Sequence, residues 1–150
     1  MIKLIVFDLD GVLVEAKNIH FDALNDALGN EYEISWAEHL STYDGLKTNQ
    51  KLDMLSERKG LPTELHKEVW DKKQKYTLQM LKELKPNQTL QSVMSAFSED
   101  GYKLAVCSNS IRKTVLTVLS KLGIMEFMDL VISNEDVKNS KPHPEMYWKA

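Results

Sequence analysis

The chain has little of what would place it in a membrane or outside the cell. Its single cysteine, Cys107, has no partner for an internal disulfide, so a disulfide-stapled secreted scaffold is excluded. No stretch approaches the roughly 18 consecutive apolar residues of a membrane span. The short leading run Ile2 to Phe7 lacks the pattern of a signal peptide. Positive charge is not in excess either. Nineteen Lys and Arg face 22 Asp and Glu, for a net charge of −3, and the lysines are interleaved with acids rather than gathered in a stripe, which speaks against nucleic acid as a partner. Internal repeats and low-complexity segments are missing too. These absences leave a globular chain expected in the cytoplasm, with a small molecule as its partner.

What is present suffices for a real core: 150 residues, 43% hydrophobic and 27% charged. Glycine and proline are few, six and four, and act as punctuation. Residues 2 to 7 (IKLIVF) form an apolar run with little polar alternation, which predicts a strand covered on both faces, as in parallel sheets. Helical spacing then runs from Ile19 through Ala23 and Ala27 to a stop at Gly29, and Ser35-Trp-Ala-Glu38 matches a capping box. Thr48 is placed to cap a helix carrying Leu52 and Leu55 up to Gly60. Pro62-Thr63 opens a longer helix with Leu65, Val69, Tyr76, Met80 and Leu84 on one face. Residues 15 to 85 therefore read as an almost wholly helical block.

The pattern changes after Lys85-Pro86. Leu90, Val93, Met94 and Phe97 predict a helix ending near Gly101, KLAVC (103 to 107) a second buried strand, Ile111 to Leu122 a helix closed by Gly123, and DLVI (129 to 132) a third strand. Strands alternating with helices predict an α/β fold with a Rossmann-like parallel sheet, into which residues 15 to 85 are inserted as an all-helical cap; the core is then 1 to 14 plus 86 to 150. Glu145 to Ala150 begins one more helix. A parallel sheet of three strands is small, and its open edge invites further strands, a second chain or self-association.

Two acids, Asp8 and Asp10, leave the first strand just ahead of Gly11, whose freedom at positive φ permits a tight turn. In parallel α/β sheets ligands bind beyond the carboxyl ends of the strands, so these acids and the turn Ser108-Asn109-Ser110 should converge on one crevice. One carboxylate there can attack phosphorus or bind metal while the other moves a proton, a division of labour suited to phosphoryl transfer. Ser108 and Asn109, before the helix starting near Ile111, suit a phosphate, because unpaired amides and the helix dipole face an anion. Taken alone, DLDG also reads as an acid-capped turn and SNS as a plain N-cap. Lys141, held between Ser140 and Pro142, adds a positive charge that offsets a carboxylate and a transferring phosphoryl group. The order strand-DxD, strand-Ser, Lys-Pro carries more information than any one of these motifs.

In that order the sequence resembles the haloacid dehalogenase superfamily of phosphohydrolases. FDLDGVL matches its first motif, LAVCSNS its second and SKPHPE its third, with a type-1 helical cap between the first two. The resemblance implies Asp8 as nucleophile and Asp10 as general acid/base, with Mg²⁺ held by the Asp8 carboxylate and the Asp10 backbone carbonyl. It further implies that Ser108 and Asn109 bind the phosphoryl group and that Lys141 orients Asp8. Because members that cleave carbon–halogen bonds lack the second acid, Asp10 points to phosphate esters. The β-phosphoglucomutase-like and phosphoglycolate-phosphatase-like members look most similar. In the cap, His20 and the loop residues Gly45, Lys47 and Thr48 are candidates for touching substrate, though a glycine before a helix cap and a polar residue on a helix face are common in any protein. Thr48 stands where the mutase has a phosphate-binding arginine, which disfavours a bisphosphate or mutase substrate. The family completes its metal site with acids on a further strand beyond the lysine, whereas nine residues follow Lys141 in this chain, so the core is expected to lack its last strands. Three functions stay open: a Mg²⁺-dependent phosphatase of a small phosphorylated metabolite, a non-catalytic phosphate-binding or interaction module, and a sugar-phosphate mutase.

Overall fold

The structure, a computed structural model, describes residues 3–150; Ile2, at the head of the expected first strand, lies outside the described residues. The chain divides into two compact units. One takes in the chain up to Glu15 together with Leu81–Ala150, and the other is Ala16–Met80.

The first unit is built on a parallel three-stranded sheet of β1 (Leu4–Phe7), β2 (Lys103–Cys107) and β3 (Leu130–Ile132), in the order β1-β2-β3. Ile5 lies opposite Leu104, and Val106 opposite both Phe7 and Val131. The central strand is the dry one: Leu104, Ala105, Val106 and Cys107 are completely buried. β1 was expected to be covered on both faces, but all four of its residues are only half-buried. Among the described residues it pairs on one side only, so it is an edge strand, and edges stay wetter than centres. Around the sheet run α5 (Gln88–Glu99), N-capped by the Asn87 side chain, and α6 (Arg112–Leu122), whose Thr114, Val115, Val118, Leu119 and Leu122 form its buried face. Gly123 ends α6 in the left-handed region at φ 74°, and a Cβ there would fall 2.5 Å from Gln91 Nε2, which donates to Leu122 O. A last short helix, α7 (Glu145–Lys149), seats the fully buried Met146 against Cys107 and Ile132.

The second unit is helical: α1 (Lys17–Leu28), α2 (Trp36–Glu38) continuing into a π-type turn at His39–Tyr43, α3 (Thr48–Lys59) and all but the last residue of α4 (His66–Leu81). Leu24, Ile34, Tyr43, Leu52, Leu55 and Val69 make its core. The capping box forms as the sequence predicts, with Glu38 N–H donating to Ser35 Oγ and Ser35 N–H to Glu38 Oε2. Two local expectations are corrected. Thr48 does not cap α3: Lys47 is the N-cap residue, and the Thr48 hydroxyl faces inward to accept from Gln74 Nε2 at 3.2 Å. Leu84 does not extend the face of α4, which stops at Leu81, because the following Lys85-Pro86 disfavours helical backbone before the proline.

His39 is wholly buried, stacked on Trp36 with ring centroids 5.2 Å apart and tilted against Phe21 at 5.4 Å. Neither ring nitrogen has a hydrogen-bond partner among the described residues. Burial, with the nearby Lys51 charge, pushes its pKa down to about 4, so the ring is neutral in the folded protein at pH 7. Between pH 6.5 and about 4 the unfolded chain binds a proton at His39 that the folded chain refuses, so stability falls as pH falls through that window. We expect a loss on the order of 2–3 kcal/mol from this group. His39→Phe should flatten the urea-denaturation midpoint over that interval, while below it the two proteins run parallel.

Candidate active site

The site in the first unit begins where β1 ends. Asp8 is the next residue, and its Oδ1 accepts from Leu9 N–H at 2.8 Å and from Lys141 Nζ at 2.5 Å. Both bonds fall on one oxygen, and Oδ2 has no bond to any described residue. The chain then doubles back tightly: Gly11, at φ 81°, donates to Val14 O, while Leu13 and Val14 N–H groups return to Leu9 O. This turn brings Asp10 beside the end of β2, where its Oδ2 lies 3.4 Å from Ser110 Oγ.

The turn after β2 supplies the second part. Ser108 is buried, donates its N–H to Ile132 O, and holds Ser110 N–H on its hydroxyl oxygen at 3.1 Å. Asn109 turns the other way. Its Oδ1 accepts from Lys141 N–H and its Nδ2 donates to Lys141 O, both at 2.9 Å. Lys141 thus arrives from a distant loop with its backbone clamped, and its Nζ reaches Asp8 Oδ1 and Cys107 O, the latter at 3.0 Å. Asp8, Asp10, Ser108, Asn109 and Lys141 are therefore brought together, as the sequence predicts. Cys107 is a packing residue: its thiol lies against Met146 O, and burial pushes its pKa up.

The loop carrying Lys141 is tied down by acids. Glu145 accepts from the backbone N–H groups of Lys138 and Asn139, both at 2.9 Å, which pull its pKa down to about 2. Burial pushes the Asp136 pKa up, but the Ser133 N–H and hydroxyl and the Arg112 guanidinium outweigh it, and the net pKa is lowered. Glu135 accepts from Arg112 N–H at 2.6 Å. Among the described residues no three acid, histidine or cysteine side chains gather as a metal cluster. The donors that suit a hard cation are the Asp8 carboxylate, with Oδ2 open, and the oxygens of Asp10.

In the second unit His20 lies on α1, with Nδ1 3.4 Å from Lys73 Nζ. Gly45 sits in the left-handed region at φ 73°, with its N–H on Asp44 Oδ1. Lys47 N–H donates to the Gln50 side chain. Lys73 and Lys51, both nearly buried, add two charges that no motif marks. A signal was available for each: Lys73 falls four residues after Val69 and Lys51 four before Leu55, so each places a charge in an apolar helical stripe. Asn134, whose Nδ2 donates to Asn109 O, had no such signal because it lies in a loop.

The sequence profile of the haloacid dehalogenase-like hydrolases matches residues 5–150, and the chain belongs to that family. It is 26% identical over 147 residues to a phosphorylated carbohydrates phosphatase of Thermotoga maritima, a match covering 95% of this chain and 66% of the relative. It is 27% identical over 154 residues to a phosphoglycolate phosphatase of Photorhabdus laumondii, covering 95% and 63%. The crystal structure of a β-phosphoglucomutase from Clostridium difficile superposes with a TM-score of 0.86 at 25% identity, over 99% of this chain and 69% of that one. The chain thus spans about two thirds of the length of the proteins it matches. Among the described residues no helix is long and apolar enough to cross a membrane.

Removing the Glu145 carboxylate should free the Lys141 loop. We expect Glu145→Ala to lower the thermal midpoint at pH 7. Since the folded-state pKa is depressed, the stabilisation is present above pH 4.5 and lost as pH falls toward 2, so the gap between variant and wild type should close over that range in a melting series.

Proposed function

We propose that the chain carries the phosphoryl-transfer centre of a cytoplasmic, Mg²⁺-dependent phosphatase acting on a small phosphorylated metabolite through an aspartyl-phosphate. The observation that carries this reading is the asymmetric hold on Asp8: Leu9 N–H and Lys141 Nζ both occupy Oδ1, which leaves Oδ2 as the oxygen that can act as nucleophile. Oδ2 attacks phosphorus and the alcohol leaves with a proton from Asp10. Water then attacks the phosphorus of the acyl phosphate, giving its proton back to Asp10, and the Asp8 carboxylate is restored as inorganic phosphate departs. Ser108 and the Asn109 backbone N–H hold the phosphoryl oxygens, and Lys141 offsets the charge gathered there. The Asp8 carboxylate and the Asp10 backbone carbonyl would hold Mg²⁺, which neutralises phosphoryl charge when bound.

Residues 15 to 85, close to the compact unit Ala16–Met80, are proposed as the cap that selects substrate, with His20, Gly45, Lys47 and Thr48 as its candidate contacts. The names of the two curated relatives favour a phosphatase, and the likeness to a β-phosphoglucomutase keeps sugar phosphates foremost among substrates.

Incubating the protein with phosphorylated sugars and phosphoglycolate should release inorganic phosphate when Mg²⁺ is present and stop when it is chelated. Asp8→Asn should lower the release by about a thousandfold or more, and Asp10→Asn by about 10²–10⁴-fold. An isomerised sugar phosphate formed without phosphate release would replace this reading with the mutase. Phosphate binding without turnover on any ester would replace it with a binding module.

A further inference from the structure

The Asn109 side chain is commonly the kind of group expected to touch a bound anion, yet here its amide is spent on another residue. Its Oδ1 takes the Lys141 N–H and its Nδ2 gives to the Lys141 carbonyl, 32 positions along the chain, each at 2.9 Å. That is the pairing a neighbouring strand would make, performed by one side chain. The same device closes a loop in the helical unit, where Asn25 Oδ1 accepts from Ile34 N–H and Asn25 Nδ2 donates to Ile34 O. At Asn25 the clamped residue is a buried isoleucine, and the pairing only fixes a loop. At Asn109 the clamped residue is the lysine whose Nζ sits on Asp8 Oδ1. The clamp is itself anchored, because Asn134 Nδ2 donates to Asn109 O and Asn134 N–H donates to Ser110 O.

We propose that Asn109 is a positioning residue: through its side chain it fixes the Lys141 backbone so that Nζ falls on Asp8 Oδ1, leaving Oδ2 to react, and it does not hold the phosphoryl group by that side chain. A lysine has four rotatable side-chain bonds, so without a fixed backbone its ammonium would range over several ångströms. The amide oxygen aimed at Lys141 N–H is also an acceptor, the wrong polarity for an anion. The kinetic consequence rests on the phosphatase reading above, while the placement of Lys141 does not.

Two measurements on the full chain separate them. Competitive acetylation followed by mass spectrometry reads the reactivity of the Lys141 amine against the exposed Lys67. We expect Asn109→Ala to raise Lys141 labelling at least fivefold, and Asn109→Asp, which keeps the acceptor but loses the donor, to raise it less. Unchanged labelling in both variants overturns the proposal, whether or not the protein turns over any ester. Where phosphate release is measurable, Asn109→Ala should lower kcat about 10–100-fold with KM changed less than threefold. In a Lys141→Met background the same substitution should then change kcat less than twofold. Losses that multiply in the double variant, or a rise in KM matched by weaker inorganic phosphate binding, would assign the Asn109 side chain to the phosphoryl group instead. A loosened fold would appear as a melting shift common to both backgrounds, and multiplied losses accompanied by that shift likewise count against the proposal.

Discussion

The first unit is organised around one charged contact, the Lys141 ammonium on the Asp8 carboxylate. An ion pair between exposed side chains contributes little, because water screens it and two long chains lose entropy in making it. This one is different in setting. The Lys141 side chain is largely covered although that of Asp8 is partly exposed, the second Lys141 bond goes to the Cys107 carbonyl at the end of the driest strand, and Asp8 takes a further bond from its neighbour's N–H. The contact requires the ends of β1 and β2 to lie side by side and the loop after β3 to fold back over them. Sheet register, the Gly11 turn, Asn109, Asn134 and Glu145 can all be read as conditions for that geometry. The contact fixes which oxygen of Asp8 is occupied and which is open.

The acids divide into two kinds by what they accept. Glu145, Asp136 and Asp129 are saturated by backbone N–H groups and cations, and their lowered pKa values reflect that structural employment. Asp8 takes two bonds on Oδ1, and it and Asp10 lie just past the end of β1, where an open α/β sheet receives ligands. Glu135 and Asp136, adjacent acids just past β3, are of the first kind, serving as braces for Arg112 and Ser133 in the fold.

The helical unit follows a different logic. Its stripes of leucine and aromatic residues bury themselves in the ordinary way, but they carry lysine and histidine inside them. Lys51, Lys73 and His39 are nearly or wholly covered, which is rare for such groups. His39 accepts burial by staying neutral between two aromatic rings, at the cost of sensitivity to acid.

Much of this was legible in the sequence because it depends on short-range rules. Apolar runs of three or four residues announced the strands, Gly29, Gly60 and Gly123 marked helix ends, Ser35 and Glu38 declared their cap, and DLDG, SNS and SKP stood in an order that named the family. What the sequence could not determine rests on contacts between residues far apart in the chain. Whether Thr48 caps its helix or turns inward to Gln74 depends on α4 lying beside α3. That the residues of β1 are half-buried rather than covered depends on its surroundings in space, where among the described residues only β2 pairs with it. The employment of Asn109 was hidden for the same reason: its partner lies 32 residues away, and an asparagine in a turn after a strand looks alike whether it faces an anion or a backbone. The sequence by itself determined which chemical groups this protein owns and in what order. Only the tertiary structure decided which of their atoms are paired with which, because hydrogen-bond partners are chosen by distance in space.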